Sequence, residues 1–99
     1  MLINKNSSVK TFKLANGDEV IAEVVRSENG NTVVTKPVAI IVKPDQNGNP
    51  RLALVPFLFS ADDTKEMEIN ETQIVLKATP TKETVDAYLR STTDIQLVT

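Results

Sequence analysis

Lys13-Leu14-Ala15-Asn16-Gly17-Asp18-Glu19-Val20-Ile21-Ala22-Glu23-Val24-Val25-Arg26 is the stretch whose reading decides the fold of this chain. Asn16-Gly17-Asp18 is a hairpin signal, because both central residues of the tight two-residue turn must tolerate positive φ. Glu19 to Arg26 after it reads as a strand, and the lysine-bearing run before it, from Val9 to Ala15, reads as its partner with Val9, Phe12 and Leu14 apolar. Working outward, Ser27-Glu28-Asn29-Gly30-Asn31 is a second turn. A third strand over Thr32 to Lys43 carries Val33, Val34, Thr35, Val38, Ile40, Ile41 and Val42, β-branched residues that suit a pleated surface. Pro37 interrupts it. A proline cannot donate to a ladder and marks an edge, a bulge or a bend, and a strong bend is what lets a short five-stranded sheet close into a barrel.

Pro44 to Pro50 is a polar loop of turn-forming residues. Arg51 to Phe59 reads as a fourth strand and Met67 to Ala78 as a fifth, with Ile74-Val75-Leu76 at its centre. Asp62, Asp63, Glu66 and Glu68 between them read as a solvated acidic stretch. Thr79 and Pro80 suit the N-cap and first position of a helix, and Val85, Tyr88 and Leu89 fall at helical spacing, which predicts a helix over about 80–91. Ile95 and Leu97 read as an alternating pair in a short tail, and residues 1–8 as a loose start. The fold class that follows is mainly all-β. It is a small, strongly bent five-stranded barrel over about 9–78 with a C-terminal α-helix, one domain over 1–99.

Composition removes whole classes of chemistry. The 99 residues include no cysteine and no histidine, so disulfides, Cys–His or Ser–His catalysis, the usual zinc sites and a histidine pH switch are excluded. A formal charge of -2, from 11 basic and 13 acidic residues, supplies no global attraction to nucleic acid. The longest apolar run, Val38 to Val42, is far too short to span a membrane. The start, with Leu2 and Ile3 after Met1, lacks a secretory leader's apolar stretch, so a cytoplasmic protein is expected. Carboxylate pairs such as Asp62 with Asp63, or Glu66 with Glu68, have no nucleophile motif or phosphate-binding glycine loop beside them. The reading is therefore non-catalytic, with no cofactor and no metal.

The fourth strand is apolar on both faces. Leu52, Leu54 and Leu58 point one way, and Ala53, Val55, Phe57 and Phe59 the other. A strand with one wet face would alternate instead. Leaving roughly 400 Å² of such surface in water would forgo about 10 kcal/mol, comparable with a domain's whole stability. The expected remedy is an inter-subunit seam in which Leu54, Val55, Phe57 and Leu58 meet Ile74, Val75 and Leu76 of a neighbouring copy. The competing reading is that the C-terminal helix and residues 1–8 cover this surface within one chain.

The run from Lys13 to Val24, an apolar residue and Asn-Gly before an apolar-spaced strand, resembles the first motif of the Sm-like family, small bent five-stranded barrels that assemble into RNA-binding rings. The strand order, the bent third strand with Pro37 and the loop between strands four and five are similar to that family too. The tail, Thr79-Pro80-Thr81-Lys82-Glu83 with Tyr88-Leu89, resembles Sm-like proteins encoded by tailed bacteriophages, notably those of marine cyanobacteria. The resemblance implies a homo-oligomeric ring of five to seven subunits that binds single-stranded RNA, with no membrane partner.

In the family, an Asn in the loop between strands two and three holds a base, which implies Asn29 or Asn31 here. A second contact comes from a cation-bearing pair before the last strand, where this chain has Glu68-Ile69-Asn70-Glu71. Asn29, Asn31 and Asn70 are thus the candidate base contacts, with Arg26 and Lys36 for phosphate. Lys5, Lys10 and Lys13 form a further basic group, whose plainer reading is a solvated face. The alternative function is an assembly ring without nucleic acid. The two are separated by the charge around the pore, since a basic one suits RNA and an acidic one suits protein or nothing.

Overall fold

A computed structural model describes residues 8–98, and side chains through residue 92. The protein is mostly antiparallel sheet with one C-terminal helix: β1 Val9–Leu14, β2 Glu19–Glu28, β3 Asn31–Pro44, β4 Pro50–Pro56, β5 Met67–Asn70, β6 Ile74–Ala78 and α1 Lys82–Val98. The order across the sheet is β4-β3-β2-β1-β6, while β5 pairs with the other half of β3. This arrangement is the small, bent, helix-capped β fold that the sequence predicts.

The hairpins differ from expectation in an instructive way. At Asn16-Gly17 only Gly17 is left-handed, at φ 97, and the hydrogen bonds run from Gly17 N to Leu14 O (2.9 Å) and from Leu14 N to Asp18 O (2.8 Å). That is a three-residue loop closed by a left-handed glycine, not the two-residue turn. Asn16 uses its side chain instead, its Oδ1 accepting from Asp18 N at 2.9 Å. The two-residue turn with both residues at positive φ occurs at Asn29-Gly30 (φ 54 and 79). The second strand therefore continues to Glu28, and Ser27 and Glu28 pair with Thr32 and Asn31.

The predicted bend in the third strand is present. Lys36 sits at φ 53, just before Pro37, a left-handed conformation that costs a non-glycine residue roughly 1–2 kcal/mol. On one side of it, Val38 to Pro44 pairs with β4; on the other, Asn31 to Val34 pairs with β5. Residues 57–66 loop out between these two strands and rejoin where β3 has turned. The predicted fourth strand accordingly stops at Pro56 rather than Phe59. The predicted fifth strand, 67–78, is broken into β5 and β6 by a 3-10 turn at Glu71–Gln73.

Helix α1 starts later and runs further than the predicted 80–91. Thr81, not Thr79, is its cap, with Thr81 Oγ1 accepting from Thr84 N at 3.2 Å. The backbone stays helical through Val98, so Ile95 and Leu97 are on a helix rather than in an extended tail. The loose start expected for residues 1–8 falls almost wholly outside the described residues, as does Lys5.

Two cores lie on opposite faces of the sheet. Inside the barrel, Phe12, Leu14, Val20, Ala22 and Val34 pack together, flanked by Val24, Phe57, Met67, Ile69 and Ile74. On the outer face, Val9, Ile21, Val38 and Ile40 pack under Val85 and Tyr88 of α1, flanked by Leu54 and Leu89. Each fully buried Val, Leu, Ile or Phe among them contributes roughly 1.5–3 kcal/mol. Period two explains the division: neighbouring residues of β2, Val20 and Ile21, serve different cores.

Candidate functional site: a polar corner and two apolar edges

The β2–β3 turn and the 3-10 turn after β5 meet at one corner of the barrel. Asn31 and Asn70 are direct strand partners, and Glu71 N donates to Gly30 O at 2.9 Å. The structure thus brings Asn29, Asn31 and Asn70 together, as a base-contacting site requires. Two of these amides are each engaged on one side. Asn31 Nδ2 donates to Glu68 Oε1 at 2.6 Å, and Asn70 Oδ1 accepts from Thr72 N (2.9 Å) and Thr72 Oγ1 (2.8 Å). Asn29 is exposed and spends its identity on the left-handed turn.

Carboxylates fill the rest of the corner. Buried Thr32 donates through Oγ1 to Glu71 Oε2 at 3.1 Å. Arg26 is held by two acids: Nη1 and Nη2 reach the two Glu66 oxygens at 3.0 and 2.9 Å, and Nε reaches Glu28 Oε1 at 3.1 Å. The guanidinium holds the Glu66 carboxyl below the usual carboxylate range through its hydrogen bonds. Arg26 is therefore a neutralised cation rather than one waiting for phosphate. Sequence reading missed this clamp, because the Glu66 partner arrives from across the bend and only Glu28 is near in sequence.

Lys36 is not at the corner. It occupies the bend, where its backbone is held by Asp63 and Tyr88. Lys10 and Lys13 are three apart on β1 and so lie on opposite faces, which undoes the basic group read from sequence. Of the aromatics, Phe12 and Tyr88 are core (1% exposed each) and Phe57 is half-buried, whereas Phe59 is 84% exposed on the 57–66 connection. The acidic stretch divides as well: Asp62 caps Thr64, with Asp62 Oδ1 accepting from Thr64 Oγ1 at 2.6 Å, which lowers its pKa, while Glu66 and Glu68 serve the corner.

The sheet ends are different ground. Among the described residues β4 and β6 each have one strand neighbour, so each presents a free backbone edge. Leu52, Leu58, Val75 and Leu76 are 58%, 49%, 63% and 62% exposed there, with Val42 at 62% beside Leu52. Of the residues predicted for a seam, Val55, Leu58, Val75 and Leu76 are available. Leu54, Phe57 and Ile74 instead pack against their own chain's cores, because the helix and the barrel interior reach that far and no further.

A groove of about 140 Å³ lined by Phe12, Leu76 and Ala78 runs beside β6, and one of about 190 Å³ lined by Leu54, Val55, Leu58 and Met67 lies between β4 and α1. A hollow of about 610 Å³ is an open recess against the β3–β4 loop. No helix among the described residues is long and apolar enough to cross a membrane. No protein-family model and no curated protein matches this chain.

Proposed function

We propose that the protein is a non-catalytic subunit that assembles with copies of itself, strand β4 of one chain against β6 of the next, into a ring of the Sm-like kind whose partners are proteins. The observation that carries this reading is the pair of free edges at opposite ends of one sheet, both flanked by exposed apolar side chains: Leu52 and Leu58 at one, Val75 and Leu76 at the other. An exposed apolar edge is an aggregation hazard unless something pairs with it. Two different edges on one chain favour head-to-tail contacts, which close into a ring when the rotation allows.

A second reading, single-stranded RNA binding, draws on one observation: Asn31 and Asn70 share a rung at the corner with Asn29 beside them. Against it stand Glu28, Glu66, Glu68 and Glu71, and Arg26 beside them is already paired. RNA recognition of this type wants open stacking planes and a cationic track.

The test is light scattering on the native protein and on Val55→Asp, together with binding of short U-rich and A-rich RNAs at two salt concentrations. A mass of several chains that falls to one in Val55→Asp, with no RNA bound, is the expected result. A native protein that stays a single chain at high concentration sinks the assembly. Salt-sensitive micromolar binding that Asn31→Ala abolishes transfers the protein to the RNA reading.

A further inference from the structure

The bend of β3 is held from outside the sheet. Lys36 stands in the left-handed region at φ 53, and it has no partner in the strand registers of β3. Its N–H donates to the carbonyl of Asp63, in the 57–66 connection, at 2.8 Å. Its carbonyl accepts from the Tyr88 hydroxyl of α1 at 2.8 Å, and the same hydroxyl lies 3.5 Å from the Thr35 carbonyl. One residue further, the Pro37 carbonyl accepts from Phe57 N at 3.4 Å. A conformation that is costly for lysine persists because the surroundings over-determine it.

The helix that supplies the Tyr88 hydroxyl also packs Val85 and Tyr88 on Val38 and Ile40, the residues just past the bend. The bend in turn decides where β4 and β5 sit, since they pair with β3 on opposite sides of it. We infer that docking of α1 and the left-handed bend at Lys36 are one two-state element: the helix, through Tyr88, holds β3 bent and so holds the β4 edge in place. When α1 leaves, Lys36 loses the acceptor contact that over-determines it and relaxes toward an extended conformation, and β4 loses its position relative to β5. Anything that captures the helix therefore releases the edge. The inference concerns the single chain and stands whether or not the edges assemble.

Hydrogen exchange on the full chain tests it. In Tyr88→Phe the ring still fills its place but the hydroxyl is gone. The amides of Lys36 and Phe57, and those of β4 that pair with β3, are expected to exchange about tenfold faster, with Val20 and Ile21 in the central strand unchanged. Lys36→Gly accepts positive φ without strain, so it favours the bent state and is expected to slow the same amides several-fold, alone or added to Tyr88→Phe. An unchanged Lys36 amide in Tyr88→Phe overturns the inference, as does Lys36→Gly leaving the exchange of the β4 amides unchanged. Should Tyr88→Phe fail to fold, Lys36→Gly alone decides. Slower exchange of the α1 amides by about threefold supports the coupling, and unchanged α1 amides refute it.

Discussion

The corner at Asn31 and Asn70 and the edges β4 and β6 are built from opposite materials and stand in opposite states. At the corner four side chains have polar partners: Asn31 on Glu68, Thr32 on Glu71, Asn70 on Thr72, Arg26 on Glu28 and Glu66, and these partners are carboxylates in all cases but Thr72. At the edges a row of backbone groups has no strand partner among the described residues, and four large apolar side chains are about half or more exposed. Charge and amide content alone would mark the corner as the place to bind something. Satisfaction marks the edges, because a group already hydrogen-bonded gives little net energy to a newcomer, whereas exposed apolar area gains by being covered.

The largest effect that sharpens this contrast is on assembly. Val75→Asp puts a charge on the free edge of β6, and sedimentation is expected to give several chains for the native protein and single chains for the variant. The thermal stability of that single chain should move little, because the site is 63% exposed and surface changes are usually within about 0.5 kcal/mol. A Val75→Asp protein of unchanged mass would break the contrast at its apolar end.

A smaller effect is expected at the corner. Thr32 is 1% exposed and its hydroxyl ties β3 to the 3-10 turn through Glu71. Thr32→Val should cost about 1 kcal/mol in urea unfolding, the net worth of one hydrogen bond, and leave assembly mass unchanged. A change of mass in this variant would show that the corner takes part in assembly after all.

The smallest effect is a pH dependence. The folded protein holds Glu66 below the ordinary carboxylate pKa through Arg26. The unfolded chain therefore binds the proton more readily, so this pair contributes stability above the ordinary glutamate pKa and loses it as pH falls through the folded value. Both side chains are about half exposed, at 45% and 49%, so solvent screening keeps the contribution small. Unfolding midpoints of native protein and Glu66→Gln should converge as pH falls from 7 to 3. Curves that stay parallel would show that the ion pair does nothing for the corner.

Much of the fold was legible because it rests on local rules. Val20-Ile21-Ala22 between glycine turns reads as strand, Pro37 reads as a bend, and Val85, Tyr88 and Leu89 read as one helical face. The errors have physical causes. A 3-10 turn at Glu71–Gln73 interrupts what reads as one long β run, because Asn70 caps it with a side chain that composition alone assigns to a strand or a ligand. The Asn16 turn differs because a three-residue loop also ends in a left-handed glycine. Of the candidate site, Asn29, Asn31 and Asn70 were named through the family resemblance, but the bonds of Asn31 to Glu68 and of Asn70 to Thr72 were not legible.

By itself the sequence determined the β class, the bend near Pro37, the C-terminal helix and the absence of thiol and imidazole chemistry. These follow from residue type and short-range spacing, which act whatever the rest of the chain does. Tertiary structure alone decided that Arg26 faces Glu66 across 40 positions, that Tyr88 reaches back to Lys36, and that α1 covers Ile40 and Leu54 but stops short of Val42 and Leu52. Those are matters of which surfaces run out first when a finite helix is laid on a finite sheet, and no local spacing encodes that remainder.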